Sequence, residues 1–427
     1  MKAVISNRIY LEVTDAYKEV LSKELTYTIP SFNPKDPPIV IKNMARIKSN
    51  LVSIPIGRTD LIPNDYEIVD KRIDLPVDFP EFKFELRPSQ QEVYDEVEDN
   101  CIINAWVSWG KTFTGLAIAG KLGQKTLIIV HTVPLRNQWA AEVEKVYGIT
   151  AGVIGSGRFD ISSPVVIGNT QSLYRRIPDI RREFGTVILD EMHHVSSPTF
   201  SKVVDTNYAR YKIGLSGTIE RKDGKHVVFR DYFGQKVHKP PKENYMTPSI
   251  LVYRSEVRFM DGSNIPWANK VTNLAYNEEY LHSIALLAAF YAKKGHKVLV
   301  VSDRVHFLQV CAELAGDRAI CVTGEVPHEE RKTLMSKISN GKADILFGTQ
   351  AIFSEGISLD DLSCLILGTP VNNEPLLTQL IGRVIRKKEN KKKPLVIDVH
   401  LKGNTARRQA SNRMGYYMKQ GYQIQEL

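Results

Sequence analysis

The sequence predicts an α/β fold class, with two tandem parallel-sheet domains behind a small N-terminal α+β domain. From about residue 83 onward, strand-length apolar runs such as residues 127–130 alternate with helix-like stretches such as residues 134–147. This alternation is typical of a parallel sheet covered by helices. The run Lys297–Ser302 is similar to residues 125–130, and a helix-like stretch follows each of them. This weak internal duplication predicts a second domain of the same kind.

Prolines mark the candidate domain boundaries. Short alternating apolar segments in the first eighty residues are broken by eight prolines, and the pair Pro240-Pro241 interrupts the later α/β pattern. Paired prolines continue neither a helix nor a central strand, so they indicate a linker. The predicted domains are a small N-terminal domain at residues 1–80, a first α/β domain at 81–236, a linker and connecting segment at 237–274, and a second α/β domain at 275–427.

Length and composition exclude several classes of protein. A chain of 427 residues is too long for one hydrophobic core. Its longest apolar runs have strand length and do not approach the roughly eighteen residues of a membrane span, and its N-terminus lacks the apolar core of a signal peptide. We therefore expect a soluble intracellular protein with no membrane partner. The four cysteines form no Cys-x-x-Cys pair, so neither a disulfide framework nor a zinc site is expected.

Positive charge is concentrated near the C-terminal end. The formal net charge is +9, and the segment from Arg383 to Arg408 carries ten basic residues against two acidic ones, a net of +8. A solvated basic loop accounts for residues 387–393 without any function. In a nucleotide hydrolase, however, a phosphate-backbone partner is the better interpretation of this excess.

A phosphate-binding loop is predicted at residues 105–112, Ala-Trp-Val-Ser-Trp-Gly-Lys-Thr, between an apolar run and a helix-like segment. In that context backbone N–H groups and a helix N-terminus can hold phosphates, while Lys111 reaches the outer phosphates and Thr112 meets Mg²⁺. Alone, the loop could be an ordinary turn, because Ala105 replaces the first glycine of the pattern. The loop residues predicted to contact the nucleotide are Ser108, Trp109, Gly110, Lys111 and Thr112.

Two carboxylates follow the apolar run at residues 187–189. Asp190 is placed to hold a metal ion, and Glu191 to orient the attacking water molecule. The predicted metal-binding residues are Thr112, Asp190 and Glu191. Together with the phosphate loop, these carboxylates predict a nucleotide hydrolase.

The run Gln-Leu-Ile-Gly-Arg-Val-Ile-Arg at residues 379–386 extends the pattern. Its two arginines are spaced to lie on one face of a helix, and their planar guanidinium groups suit a phosphate. At this point the sequence resembles the superfamily 2 helicases, whose sixth motif is Gln-x-x-Gly-Arg-x-x-Arg. The resemblance covers about residues 83–400 and implies two RecA-like domains, with ATP and Mg²⁺ bound between them. The catalytic residues that it implies are Lys111, Asp190, Glu191, Gln379, Arg383 and Arg386.

Other segments resemble further motifs of the same family. Residues 86–90 resemble the adenine-recognition element, with Gln90 reading the base edge and Arg87 nearby. Residues 132–139 and 168–172 resemble motifs Ia and Ib, whereas 216–218 resemble motif III and 349–358 motif V. Further nucleotide contacts implied by the resemblance are Glu355 and Gly356. The implied DNA contacts are Pro134, Arg136, Gln138, Thr170, Gln171, Arg304, Thr349, Phe353 and Ser354.

Several of these positions keep a second interpretation. Trp139 could simply fill the core of its helix, and Phe353 is either a core residue or a wedge that stacks on a base. Trp109 either covers a helix terminus or stacks on a ligand, and Gln90 could be an ordinary exposed helix residue. The phosphate loop is bulkier than in many relatives, because Ser108 and Trp109 replace glycine and a small residue.

Within the superfamily, Asp-Glu-x-His at residues 190–193 and Arg-Lys-Asp-Gly at 221–224 resemble the branch of XPB and the phage UvsW-like branch-migration helicases. That resemblance implies an ATP-dependent translocase on forked or branched DNA in replication, recombination or repair. It would act as a monomer on DNA, in the host cytoplasm if a phage encodes it, with replication or recombination proteins as candidate partners. The alternatives are a nucleotide-regulated DNA clamp and a duplex-translocating motor of a restriction or remodelling complex.

Residues 1–80 lie outside these motifs. Basic residues outnumber acidic ones in the first fifty positions, consistent with contact to duplex DNA. The predicted role of this domain is therefore to grip branched DNA, or alternatively to cap and stabilise the first α/β domain.

Overall fold

The computed structural model describes residues 1–30, 37–217, 219, 224–262, 264–350, 360–371 and 373–427. The described chain forms two compact units, Met1–Glu243 and Asn244–Leu427, each with its own sheets and core.

The helices and strands are numbered in chain order over the described residues. The strands of the first unit are β1 Lys2–Ile5, β2 Ile9–Glu12, β3 Thr26–Ile29, β4 Ile39–Lys42, β5 Ala45–Lys48, β6 Leu51–Ile54, β7 Glu67–Asp70, β8 Cys101–Asn104, β9 Thr126–Val130, β10 Gly152–Gly155, β11 Arg158–Phe159, β12 Val165–Asn169, β13 Thr186–Leu189, β14 Tyr211–Ser216 and β15 Val237–His238. Its helices are α1 Asp15–Glu24, α2 Pro88–Glu96, α3 Lys111–Leu122, α4 Val133–Tyr147, α5 Thr170–Arg175, α6 Ile177–Ile180, α7 Pro198–Thr206 and α8 Phe229–Phe233.

The second unit continues the same numbering. Its strands are β16 Ser249–Arg258, β17 Lys297–Ser302, β18 Ala319–Val322, β19 Ile345–Thr349, β20 Leu362–Leu367, β21 Leu395–Lys402 and β22 Gln423–Glu426. Its helices are α9 Trp267–Ala275, α10 Glu278–Lys293, α11 Val305–Ala315, α12 His328–Ser339, α13 Glu374–Val384 and α14 Asn404–Lys419.

The N-terminal region forms a small sheet in the order β5-β6-β2-β1-β7. Strands β1 and β7 are parallel, and the other neighbouring pairs are antiparallel. One face of this sheet is apolar and packs with Leu21 and Leu25, at the C-terminal end of α1. Strands β3 and β4 form a separate antiparallel pair.

The first α/β sheet has the order β11-β10-β12-β9-β13-β14-β8-β15, and its neighbours are parallel except for β10 and β11. Strands β9 and β13 are buried along their whole length, because apolar clusters pack on both faces of the sheet. Neighbouring residues of one strand enter opposite clusters, as Leu127 and Ile128 do on β9.

The second α/β sheet has the order β18-β19-β17-β20-β21-β16-β22, and all of its neighbouring pairs are parallel. Helices α10 and α11 cover one of its faces through residues such as Ile284 and Phe307. Two parallel-sheet domains and a small N-terminal region confirm the predicted fold class.

A polar network fastens the N-terminal region to the first α/β sheet. The carboxylate of Asp231 on α8 accepts hydrogen bonds from Tyr27 at 2.9 Å and from Asn43, and it lies 3.6 Å from Arg58. Arg8 forms an ion pair with Asp205 at 2.7 Å. The two parts of the first unit are thus joined by charged and hydrogen-bonded groups that are largely buried.

Candidate active site

Three adjacent parallel strands bring the predicted catalytic residues of the first unit together. In the order β13-β14-β8, Leu189 pairs with Gly214, and Ser216 pairs with Asn104. The carboxyl ends of these strands therefore meet at one edge of the sheet. Asp190 follows β13, the phosphate loop follows β8, and Gly217 follows β14. A crevice beyond the carboxyl ends of parallel strands is the usual ligand site of such sheets.

The phosphate loop has the backbone conformation that holds an anion. Ser108 has a φ of +71° and Gly110 a φ of +94°, and α3 begins at Lys111. Left-handed residues in such a loop turn successive N–H groups inward, and the helix N-terminus adds a positive dipole. Gly110 is required for space as well, because a Cβ atom there would lie 2.7 Å from Nε2 of Gln90.

The ammonium group of Lys111 lies beside Gly217, where a side chain at position 217 would occupy the space. Nζ of Lys111 donates to the carbonyl oxygen of Ala105 at 3.2 Å. A Cβ atom on Gly217 would lie 3.4 Å from that Nζ and 3.7 Å from the same carbonyl. Because Gly217 has no side chain, the space beside the ammonium group of Lys111 is open. The arrangement of Lys111, Ala105 and Gly217 therefore fits a bound triphosphate.

The two carboxylates stand in different environments. Asp190 is 5% exposed and accepts hydrogen bonds from Nε1 of Trp139 at 2.7 Å and from the backbone N–H of Glu191 at 2.9 Å. Burial, together with the charge of Glu191, raises the pKa of Asp190. Glu191 has a φ of +48°, and its carboxylate lies 3.3 Å from Nδ1 of His193. Burial alone would raise the pKa of Glu191, but His193 and the charge of Lys111 lower it to about 2.

The predicted adenine-recognition element at residues 86–90 contacts the predicted phosphate loop directly. Gln90 and Arg87 both donate to the carbonyl oxygen of Trp109, Gln90 at 2.8 Å. Gln90 also accepts the backbone N–H of Arg87 at 3.0 Å and so caps α2. The indole of Trp109 is fully buried and donates to Oγ of Ser89 at 2.9 Å. The indole of Trp109 thus covers the start of α2, and its carbonyl oxygen accepts the hydrogen bonds from Arg87 and Gln90.

Sequence reasoning missed two residues at the end of the first unit. Glu243 accepts from Ser89 at 2.6 Å and pairs with Arg87 at 2.7 Å, and Nζ of Lys242 lies 4.0 Å from the centre of the Trp106 ring. Burial lowers the pKa of Lys242. The one feature of the sequence that could have indicated them is the phosphate loop itself. It contains two tryptophans, Trp106 and Trp109, and their rings need neighbouring residues to cover them.

The predicted DNA contacts of the first unit follow the neighbouring strands β9 and β12. Pro134 and Gln138 lie on the first turns of α4, and Thr170 and Gln171 begin α5. Pro134 and Gln171 are exposed, whereas the Thr170 hydroxyl donates to the carbonyl of Val130 at 3.1 Å.

Arg136 lies on the same turns of α4 but is buried. Its guanidinium donates to Asn169 at 3.0 Å and to Ser156 at 3.1 Å. Among the described residues, Oε1 of Gln138 has no hydrogen-bond partner. This oxygen is buried, so the structure shows neither Arg136 nor the Gln138 carbonyl oxygen exposed towards a DNA backbone.

Two of the remaining predicted residues lie close to the ends of strands in the second unit. Arg304 precedes α11 and bonds to Asp303, Thr272 and the carbonyl of Ala268, and Thr349 ends β19.

Gln379 and Arg383 lie on α13, but the expectation that Arg383 and Arg386 share one helix face is wrong. The helix ends at Val384, and Arg386 forms a β-bridge with Tyr245 and an ion pair with Asp360 at 3.1 Å. Thr218, residues 221–223, Phe353, Ser354, Glu355 and Gly356 lie outside the described residues.

The fold and the site define a phosphate-loop nucleotide hydrolase with two RecA-like domains. Residues 83–221 match the family described as "Type III restriction enzyme, res subunit", and residues 279–388 match "Helicase conserved C-terminal domain".

Curated relatives agree with these matches. "Probable helicase D10" of Escherichia phage T5 is 43% identical over 99% of this chain and 95% of that protein. "DNA 3'-5' translocase XPB2" of Sulfurisphaera tokodaii is 24% identical over 83% of this chain and 91% of that protein. "ATP-dependent DNA helicase uvsW" of Enterobacteria phage T4 is 27% identical over 62% of this chain and 57% of that protein.

The chain therefore belongs to the superfamily 2 helicases, near the UvsW-like and XPB branches, as its motifs predicted. It is an ATP-dependent helicase, and its family implies that it binds nucleic acid. Within the described part of the chain, no helix combines the length and the hydropathy needed to cross a membrane.

Proposed function

We propose that the protein is an ATP-driven DNA translocase that remodels forked or branched DNA by branch migration, fork regression and unwinding. The observation that carries this proposal is the attachment of an additional N-terminal domain, whose first fifty residues carry eight basic against five acidic side chains, to the sheet of the first α/β domain. Hydrolysis and a single-strand track require only the two α/β domains, so an additional domain fixed to the first of them is suited to a second arm of the substrate.

In this proposal the first unit binds and cleaves ATP. Lys111 contacts the outer phosphates in the space that Gly217 leaves open. A bound Mg²⁺, held by Thr112, Asp190 and Glu191, would stabilise the charge on the phosphoryl oxygens. Glu191, which its low pKa keeps ionised, orients the attacking water molecule. Because phosphoryl transfer depends on positioning and charge stabilisation, the buried setting of these groups suits the task.

The second unit contributes arginines. Arg383 and Arg386 stabilise the charge that develops in the transition state, with Gln379 on the same helix as Arg383. Arginine fingers contribute about 10³- to 10⁵-fold in rate in related reactions. Arg383 lies on α13, and Arg386 lies just past its end.

DNA would be held along the strand ends next to the ATP site. Pro134 and Gln171 lie in the first turns of α4 and α5, and Gln138 lies one turn further along α4; polar and backbone groups at such positions suit a phosphate backbone. Arg136 organises this surface from beneath, because its guanidinium joins α4 to Asn169 at the end of β12. Arg304 and Thr349 form the corresponding surface of the second unit.

The N-terminal domain would hold the other duplex arm. Lys42 on β4 and Arg46 and Lys48 on β5 are exposed basic residues, and Arg46 lies 3.5 Å from the exposed Glu19. Arg8 and Lys18 are engaged within the protein. Ile39, Val40 and Ile47 are also exposed on these strands. Strand β5 is at the edge of the five-stranded sheet and β4 belongs to the separate β3-β4 pair; exposed basic side chains on both suit the phosphate backbone of duplex DNA.

The experiment that tests this function measures ATP hydrolysis and strand displacement on single-stranded, duplex, forked and four-way DNA. We expect the rate on forked and four-way DNA to exceed the rate on linear duplex of the same length. Equal rates on all four substrates would contradict a specific role in remodelling branched DNA.

A further inference from the structure

A buried tryptophan on α4 forms a direct hydrogen bond with a predicted catalytic carboxylate. The indole of Trp139 is fully buried, and its Nε1 donates to Oδ2 of Asp190 at 2.7 Å. Hydrogen bonds to an ionised acceptor are shorter and stronger than those between neutral groups. The contact joins the helix that follows β9 to the residue that follows β13.

This bond fixes the orientation of the carboxylate. Oδ2 of Asp190 is held by the indole, and Oδ1 accepts the backbone N–H of Glu191 at 2.9 Å. Each oxygen therefore has a protein donor, which restricts rotation of the carboxylate plane. Partners that hydrogen-bond a metal-ligating group orient it and tune its affinity.

Packing fixes the indole in turn. A Cβ atom on Gly115 of α3 would lie 3.4 Å from Cη2 of Trp139, which is van der Waals contact distance, so the ring packs directly against the phosphate-loop helix. The ring belongs to the cluster that α3 and α4 share. A donor held by close packing keeps its acceptor in place with little reorganisation.

We propose that Trp139 is a positioning residue that orients the Asp190 carboxylate for Mg²⁺-ATP. Through this bond, helix α4, which carries Arg136 and Gln138 near its N-terminal end, is tied to the metal-binding carboxylate. Trp139 itself touches neither nucleotide nor DNA. The inference rests on the ATP site of the proposed function, but not on the DNA structure that the protein remodels.

The competing explanation is that Trp139 only fills the core. Helix α4 contains a matched control, because Tyr147 is also buried in the same cluster, and its hydroxyl donates to the carbonyl of Leu116 at 2.7 Å. Trp139→Phe and Tyr147→Phe each remove one buried donor while keeping an aromatic ring. Only the first removes a donor to Asp190.

The test is a Mg²⁺ titration of the binding of a fluorescent, non-hydrolysable ATP analogue to the full chain without DNA. For Trp139→Phe we expect the Mg²⁺ concentration at half-maximal binding to rise by about 10- to 100-fold, while binding of the analogue in excess EDTA stays as in wild type. For Tyr147→Phe we expect the wild-type Mg²⁺ dependence. An unchanged Mg²⁺ dependence in Trp139→Phe, or an equal shift in both variants, would overturn the proposal.

A second substitution separates the bond from the shape of the ring. Benzothienylalanine incorporated at position 139 places sulfur where the indole has N–H, so it keeps the ring shape and removes the donor. We expect the same rise in the Mg²⁺ requirement, with a thermal midpoint near that of wild type. If this isostere binds the analogue at the wild-type Mg²⁺ concentration, Trp139 serves only as a core residue.

Discussion

At the scale of single residues, the predicted site contains charged side chains that form hydrogen bonds with the protein backbone. The ammonium of Lys111 donates to the carbonyl of Ala105 beside the open space at Gly217. In the proposed function this group contacts a phosphate, so we expect Lys111 to be the most sensitive position in the loop.

Lys111→Ala should lower the turnover rate of ATP by about 10²- to 10³-fold, as the loss of one preorganised charge-stabilising donor does. DNA binding should remain close to wild type, because the predicted DNA contacts lie on other segments. Steady-state hydrolysis and fluorescence anisotropy on a single-stranded oligonucleotide measure the two effects. Lys145→Ala, on the exposed face of α4, is the control. Normal turnover in the Lys111 variant would remove the loop from the catalytic site.

Lys212 on β14 is a buried ionisable residue outside the candidate active site. Its side chain is fully buried, and Nζ donates to the carbonyl of Val204 at 2.9 Å and lies 3.4 Å from that of Asn7. Burial lowers its pKa to about 7, although Asp205 acts in the opposite direction. Between pH 7 and the ordinary lysine pKa of about 10.4, the unfolded chain binds more protons than the folded one. The free energy of unfolding should therefore rise with pH in that window.

Lys212→Met should remove this rise. Since one pKa unit corresponds to about 1.4 kcal/mol, we expect the stability of wild type to gain up to about 2 kcal/mol relative to the variant as the pH goes from about 7.5 to 9. Urea unfolding of both proteins at several pH values measures the difference. Lys202→Met, which changes an exposed lysine on α7, should follow wild type. A constant difference between wild type and the Lys212 variant would show that the lysine is not neutral in the fold.

The sequence was informative where function requires a fixed spacing, as in the phosphate loop and the Asp190-Glu191 pair. It could not reveal Glu243, which contacts Ser89 across 154 positions of the chain. It also left Trp139 open between a core role and others, because the acceptor of a buried indole N–H depends on tertiary packing. The roles of all these residues remain predictions until variants are measured.

At the scale of elements, α13 is held in place by α14. The hydroxyl groups of Thr378 and Tyr416 are hydrogen-bonded at 2.9 Å, and Arg413 on α14 forms a bidentate pair with Asp398 on β21. The side chains of this pair are 4% and 0% exposed. Arg413 therefore compensates a fully buried carboxylate beneath the helix that carries Gln379 and Arg383.

Arg413→Met should destabilise the second unit by about 3–5 kcal/mol, because it leaves the Asp398 charge buried without its partner. Differential scanning calorimetry should show a lower transition temperature for this unit. Adding Asp398→Asn to the same variant should restore part of the loss. Arg407→Met, on the exposed face of α14, should have little effect. A similar transition temperature for the Arg413 and Arg407 variants would contradict this account of how α13 is supported.

The basic segment at residues 387–393 shows that the role of a cluster of lysines cannot be predicted from their number alone. Lys388 pairs with Asp361 at 2.6 Å, Lys391 donates to the carbonyl of Arg386 at 2.9 Å, and Lys392 donates to that of Lys294. Burial lowers the pKa of Lys391 to about 8. Much of this positive charge thus stabilises a turn, and a count of lysines could not distinguish that role from contact with phosphates.

At the scale of the whole molecule, the alternation of strand-like and helix-like segments was sufficient to predict two parallel sheets. Fully buried strands appear in the sequence as continuous apolar runs, which makes them easy to recognise. The junction between the N-terminal region and the first sheet was not predictable. It consists of polar residues such as Asp231 and Arg58, whose partners come from distant segments. The choice between gripping DNA and capping the motor therefore requires a variant that leaves this junction intact.

Such a variant is Lys42→Gln/Arg46→Gln/Lys48→Gln, which removes exposed charge from β4 and β5 without touching the network around Asp231. We expect ATP hydrolysis stimulated by single strands to persist, and activity on forks and four-way junctions to fall by about 10-fold or more, as expected when phosphate contacts are lost. Lys2→Gln/Lys23→Gln, which removes two exposed charges elsewhere in the N-terminal domain, is the surface control. Full activity on branched DNA in the triple variant would favour the capping role.

In the proposed function, ATP hydrolysis moves the protein along DNA. The most direct measurement is the number of ATP molecules hydrolysed per binding event on DNA of increasing length, with a trap that prevents rebinding. Hydrolysis in Lys111→Ala should be about 10²- to 10³-fold slower at every length. A translocase should hydrolyse more ATP on longer DNA until its processivity is reached. A number that stays constant with length would contradict translocation and would favour a clamp whose nucleotide cycle only regulates affinity.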